Sequence, residues 1–416
     1  MKLSLQLFLL CLIALHLPIP LWAASMDFEG YFRSGLGTNS KGGDQACFTN
    51  PGASAFFRLG NECDEYGELT LLSKFTSGQK EDSASFNFYF TLAYSQPGQA
   101  NWEESPIVIR QAYVESDKFF TSAIKFWAGK RYYRVQDIHI LDYAYHDFGP
   151  PGAGIEDIEI SGFKMAIAYL KGGGTAESDQ GSMAMSLADF QFYDIDAGPA
   201  GKLSFWLAQA LQPGGEGVDA SGNAVTYEEV HGQGISLTVE HEFNSGFNKL
   251  AIQQGTGLLK ELGFIDETFS LIEAEALQKA KTIRITDQLT WDQDKDWSLQ
   301  AVWVNENRTR QEGDLKWQAL GGRFQVYLGQ HLNLAFELSH SSVLDQSETD
   351  PVERTLEKFT IAPQLQLKPG FWERPLLRAF YTLARWNQAN EGLVGGAAFA
   401  VEKQGASYGF LAEIWF

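Results

Sequence analysis

Apolar and polar residues alternate with a period of two along the chain. Phe28, Gly30, Phe32, Ser34 and Leu36 alternate with Asp27, Glu29, Tyr31, Arg33 and Gly35. Leu332, Leu334, Phe336, Leu338 and His340 alternate with Asn333, Ala335, Glu337 and Ser339. The segment SYGFLAEIWF sets Tyr408, Phe410, Ala412, Ile414 and Phe416 against Ser407, Gly409, Leu411, Glu413 and Trp415. ISLTVEHEF, SFNFYFTLAY, RFQVYLGQ and RAFYTLARW follow looser versions of the pattern. Successive side chains of a strand point to opposite faces, so the pattern predicts many strands, each with one apolar and one polar face. Joints rich in Gly, Asp and Asn, such as TNSKGGDQ, KGGGTAESDQGS and QPGGEGVDASGN, separate them and read as turns and surface loops. No proline-rich linker and no clear internal repeat divides the chain, which predicts one all-β domain over residues 26–416.

Two architectures suit such strands. A secreted sandwich buries its apolar faces between two sheets. A transmembrane barrel turns them to lipid around a polar lumen. After the N-terminus no stretch approaches the roughly 20 apolar residues of a spanning helix, which excludes a helical membrane protein. The segment MKLSLQLFLLCLIALHLPIPLWAAS has a basic Lys2, an apolar run from Leu3 to Leu15 and small residues at Ala23, Ala24 and Ser25. It reads as a secretory signal peptide over residues 1–25. Export, a mean hydropathy of −0.20, aromatic-rich strands and a chain that closes on Phe416 favour the barrel.

Charge and composition narrow the function. The net charge of −20 leaves no basic stripe for nucleic acid. No Walker pattern is present, GPPGAG lacks the strand-to-helix setting of a dinucleotide loop, and the seven histidines have no metal-binding spacing. No cofactor or metal is therefore expected. Cys47 and Cys63 remain after the leader, and a pair in an exported chain reads as a disulfide. In a barrel, Phe416 faces lipid and Trp415 shares the lumen with Glu413. Tyr31 shares its face with Asp27, Glu29 and Arg33, and Tyr66 shares its face with Asp64, Glu68 and Thr70. Singly, each such ring is a lumen filler or a rim residue. Together, interleaved with charge, they suggest a sugar track, because a sugar ring has apolar faces that stack and hydroxyl edges that hydrogen-bond.

The motifs EGYFRSG, RLGNECDEYGEL, WAGKRYY, DIHILDYAYHDFGPPGAG, SGFNK, FWERP and the final AEIWF, in that order, resemble the maltoporin family of outer-membrane sugar channels. Residues near 170–230 and 385–405 match poorly. The resemblance implies an eighteen-stranded antiparallel barrel of the Gram-negative outer membrane. It implies a homotrimer with a loop folded into each lumen, and passive diffusion of maltodextrins rather than enzyme chemistry. It further implies an aromatic slide of Tyr31, Tyr66, Trp102 (lent by a neighbouring subunit), Phe247, Trp372 and Trp415. A polar track falls on Arg33, Arg58, Glu68, Arg110, Asp137 and Asp142, and the Cys47–Cys63 pair falls on the family's disulfide. The same charges also read as a salt network bracing the inward loop.

Two constriction positions depart from the family. Its arginine falls on Val135, with adjacent Arg134 as a substitute after a small shift, and its narrowing tyrosine falls on Ala144, between Tyr143 and Tyr145. A wider eyelet is expected, and with it a second reading as a broad carbohydrate or general porin. A third reading is a secreted β-sandwich lectin or glycosidase, the latter with Asp137 and Asp142 as its two carboxylates.

Overall fold

The computed structural model describes residues 24–78, 83–97, 106–119, 123–172, 185–218, 223–262, 271–293, 295–347 and 350–416. The strands in chain order are β1 (Ala24–Asn39), β2 (Asp64–Thr76), β3 (Ser85–Pro97), β4 (Ile107–Asp117), β5 (Lys125–Lys130), β6 (Tyr133–Ile138), β7 (Tyr143–Phe148) and β8 (Pro151–Ile160). They continue as β9 (Phe163–Gly172), β10 (Met185–Asp196), β11 (Gly201–Gln212), β12 (Gly215–Val218), β13 (Ala224–Tyr227), β14 (Val230–Phe243) and β15 (Gly246–Gly257). The last seven are β16 (Lys281–Gln293), β17 (Trp297–Thr309), β18 (Leu315–Tyr327), β19 (Leu332–Asp345), β20 (Val352–Gln366), β21 (Leu376–Trp386) and β22 (Gln404–Trp415). Among the described residues one α-helix, α1 (Leu271–Lys279), lies between β15 and β16.

Eighteen of these strands form one sheet. Each pairs antiparallel with its neighbours in the chain, and β1 pairs with β22, with Tyr31 opposite Trp415, to close the circuit. Among the described residues closure gives each of the eighteen strands a partner on both sides, as a sheet that crosses a membrane requires. The hairpins β6–β7 and β12–β13 lie outside the circuit, in connections between barrel strands.

The two faces settle barrel against sandwich. Phe28, Leu338 and Phe410 are 57%, 64% and 64% exposed. The alternate positions bury Gln300, Arg323, Glu337, Thr360 and Glu413 almost completely. A sandwich would do the reverse. Polar side chains are tolerated inside because they pair with one another and with two segments that enter the lumen.

The first of these is the connection 40–63, closed by the Cys47–Cys63 disulfide. Phe57 packs over Gly321 of β18, where a side chain would collide with its ring. Gly60 has φ +61, and a Cβ there would lie 2.5 Å from Thr382 Oγ1 and 2.8 Å from Phe380. Only glycine meets both demands without strain. The second segment is 131–150, which holds β6, a 3-10 turn (His139–Leu141) and β7. Its root packs Tyr133 and Phe148 against Trp127, Leu187 and Trp206. Its tip packs Ile138, Ile140 and Leu141 against Phe57, Val302 of β17 and Phe371. The hairpin therefore crosses the lumen from β5 and β8 to the far wall. The backbone N–H of Arg58 donates to the Ile140 carbonyl at 3.0 Å and ties the two inward segments together.

Candidate functional site: a ring-lined lumen with a charged floor

The register of β1, β2 and β22 assembles the rings. Tyr31 faces Trp415 and Arg33 faces Tyr66, so all four share the lumen side. The Tyr31 and Tyr66 centroids lie 6.0 Å apart, and those of Tyr31 and Trp415 lie 6.4 Å apart with planes inclined by 24°. Trp372, in the turn 367–375, joins through the His139 ring, which sits 5.2 Å from Trp372 and 5.9 Å from Trp415. Phe247 shares the lumen side of β15 with Lys249, whose Nζ lies 5.8 Å from its ring. No ring contact joins Phe247 to the other four among the described residues, and Trp102 lies outside them. The rings are not equally free: Arg374 places its guanidinium 4.1 Å from the Trp415 ring centroid, while Trp372 stays 42% exposed.

The charged residues form two clusters. In the first, Arg33 donates to Glu62 at 3.0 Å, Asp64 at 2.8 Å and Asp142 at 2.8 Å. Arg58 pairs with Glu62, reaches Glu413 at 3.2 Å and donates to Tyr31 Oη at 2.7 Å. Glu413 also accepts from Arg374 at 2.9 Å and Arg378 at 2.7 Å. The second cluster lies a few residues further along β2. Tyr132 Oη donates to Glu68 at 2.6 Å and accepts from Arg110 Nε at 2.6 Å, and Tyr66 also donates to Glu68. Asp137 stands apart, exposed on the hairpin opposite Ala144.

The sequence alone does not single out Glu62, His139, Arg374 or Tyr132. Each sits in a connection between barrel strands, where no alternation gives its direction. The RLGNECDEYGEL, WAGKRYY, DIHILDYAYHDFGPPGAG and FWERP motifs contain all four but do not say which side chain turns inward.

The two departures are resolved by orientation. Arg134 turns to the wall. Its Nε donates to Gln191 at 2.6 Å and its guanidinium lies 3.8 Å from the Tyr193 ring centroid, so it does not replace the arginine missing at Val135. Val135 beside it is half-buried. Tyr143 packs edge-on against Trp317 at 6.1 Å, Tyr145 is buried at the tip, and Ala144 between them is exposed.

Two histidines of the hairpin are held neutral. Burial and the charge of Arg58 keep His139 well below the usual imidazole range. Burial, and secondarily Arg134, push His146 down to about 3. The unfolded chain takes up a proton near pH 6.5 while folded His146 stays neutral, so stability falls as pH drops below that value. His146 therefore contributes about 1.4 kcal/mol of lost stability per pH unit between pH 6.5 and 5. Urea unfolding in detergent should show this extra slope, and His146→Asn should remove it. An unchanged slope in the variant would show that His146 is protonated in the folded barrel.

A closed barrel with an apolar outside, a charged lumen and a hairpin folded across it defines a membrane channel of the porin class. The chain belongs to the LamB porin family, whose model matches residues 26–416. It is thus an outer-membrane, sugar-type porin, a channel rather than an enzyme. Among solved structures it is similar to OccK2 (OpdF) of Pseudomonas aeruginosa, with 11% identity, 95% of this chain and 98% of that chain covered, and a TM-score of 0.50. It is also similar to in-vitro folded OmpT, an outer membrane protein of Vibrio cholerae described in its trimer form, with 9% identity, 95% and 100% coverage and a TM-score of 0.40.

Proposed function

We propose that the protein is a homotrimeric porin through which maltodextrins and related oligosaccharides diffuse along Tyr66, Tyr31, Trp415 and Trp372, with Phe247 and Trp102 completing the slide. The observation that carries this reading is the run of rings on one lumen face, with Arg33, Arg58, Asp142, Glu68 and Arg110 beside it. Rings take the apolar faces of each sugar and the charged groups exchange hydrogen bonds with its hydroxyls. Conduction needs every such contact to be weak enough to release, and stacking of about 1 kcal/mol per ring meets that need.

The trimer is supported by a polar cluster on the outer face. Ser34 and Gln96 donate to Glu65 at 2.5 and 2.7 Å, on the side of β2 opposite Tyr66. A carboxylate there is better placed against a neighbouring subunit than against lipid. A wider, less selective pore is the second reading. It is favoured by Ala144 facing open lumen and by Arg134 turning to the wall.

The test is block of single-channel current by maltotriose in a planar bilayer. Trp372→Ala should raise the half-blocking concentration about fivefold, the equivalent of one stacking contact. Block that is equal in wild type and variant would remove Trp372 from the sugar path. Absence of block in the wild type would leave only the general-porin reading.

A further inference from the structure

The wall opposite Tyr31, Tyr66 and Trp415 holds a second, partly open cavity. A cavity of about 250 Å³ lies between the inward hairpin and β10, β11, β14 and β15. These strands sit about half-way round the circuit from β22 and β1, with the hairpin between. None of the slide rings lines the cavity. Its volume is below the roughly 300–1,000 Å³ of ordinary small-molecule pockets, which sizes it for one sugar ring and not for a chain.

Its walls are pre-set. Tyr193 Oη donates to Asp157 at 3.0 Å and accepts from the Asp157 backbone N–H at 2.9 Å, so the ring is fixed. Trp206 is fixed by its indole N–H on Asp189. Ser204 and Thr238 face each other across β11 and β14 and bring hydroxyls to the same wall. Tyr193 and Trp206 are 8% and 4% exposed, so the rings back the wall and the Ser204 and Thr238 hydroxyls are what meets the hydroxyl edges of a hexose.

The charge is what sets this cavity apart in so acidic a protein. Its carboxylates are already engaged: Glu240 holds Lys249 at 2.8 Å and Asp194 holds Lys164 at 3.1 Å. Its other two cations have no carboxylate so close, although Arg134 also donates its Nε to Gln191 at 2.6 Å and rests on the Tyr193 ring. The carboxylates paired with Arg134 and Lys202 lie 3.8 Å away, on Glu156 and Glu242. An anion can approach both cations at a lower desolvation cost than at a tight pair, and charge-assisted contacts to it are the strong ones.

The geometry points to a second lumenal site that binds a single hexose carrying an anionic group, a carboxylate or a phosphate, between Arg134 and Lys202. The site does not depend on the slide.

Saturation-transfer NMR on the full-length protein in detergent, at low salt, suits weak binding. The probes are glucuronate, glucose 6-phosphate and glucose, each with and without excess maltotriose. Ring-proton signals from glucuronate, glucose 6-phosphate or both should persist under maltotriose, and whichever responds names the anion. Glucose should give about tenfold less, the loss expected for removing a charge-assisted contact. Lys202 is well exposed, so Lys202→Met should fold normally and lower the signal about tenfold, with Arg134→Gln as the independent second variant. Equal signals from glucose, displacement by maltotriose, or signals unchanged in both variants would overturn the site. Trp372→Ala, which tests the slide, should leave the anionic-hexose signals unchanged.

Discussion

Glu413→Ala should destabilise the barrel by about 3–5 kcal/mol, the cost of removing one partner from a buried ionic cluster. Glu413 is almost completely buried and accepts from Arg374, Arg378, Arg58 and Tyr31 at 2.9, 2.7, 3.2 and 3.1 Å. Alanine leaves three guanidinium groups facing one another in a confined lumen. Arg58 keeps Glu62, but no other carboxylate pairs with Arg374 or Arg378 among the described residues. The contrast is Glu402→Ala. Glu402 pairs with Lys41 at 2.5 Å, but both are exposed, and exposed pairs contribute about 0–1 kcal/mol. Urea or thermal unfolding of the two variants in the same detergent gives the comparison. If Glu413→Ala loses no more than Glu402→Ala, water already screens the cluster and it does not brace the lumen. The same cluster holds Arg374 over Trp415, so the variant should also free that ring's face. Stability and access to the slide are thus set against each other at one carboxylate.

Much of this arrangement is legible from strand parity. A one-residue slip would turn every side chain of a strand to the other face. Alternation therefore places Phe28 and Phe416 outside and Tyr31, Tyr66 and Trp415 inside, as the register has them. Parity fails where the backbone leaves the strand. Between Tyr133 and Gln136 the β6–β7 register shifts, and Arg134 and Asp142 have φ of 49° and 48°. The neighbourhood of Arg134 to Val135 in sequence therefore says nothing of where the guanidinium goes, and it goes to Tyr193. Arg374 reaches Trp415 from a turn, and Glu62 reaches Arg33 and Arg58 from the end of a long connection. The cavity beside β10 and β11 takes Tyr145, His146 and Lys249 from the quoted motifs, but they meet Lys202 and Thr238 only through the fold, so no motif indicates it. The disulfide was within reach because residues 26–416 hold only two cysteines.

Parity inside the hairpin governs the other large effect. Ala144→Tyr should cut single-channel conductance by roughly half or more, since a ring at the narrowest point of a pore excludes both ions and water. The flanking rings cannot already supply that restriction. Tyr143 donates to Glu306 at 3.5 Å and lies under Arg284, and Tyr145 is buried where its carbonyl accepts from Gln253 at 2.9 Å. A tyrosine at 144 instead projects beside Asp137, on the side of β7 that faces open lumen. It would also add a stacking surface, so maltotriose should block at about fivefold lower concentration. Conductance and block report different things: the first measures the bore and the second the sugar contact. Reduced conductance with tighter block would make Ala144 the residue that trades selectivity for flux. Reduced conductance with unchanged block would place the new ring in the ion path but off the sugar path. Unchanged conductance would put the narrowest point elsewhere, most directly where the His139 tip meets Trp372 and Trp415.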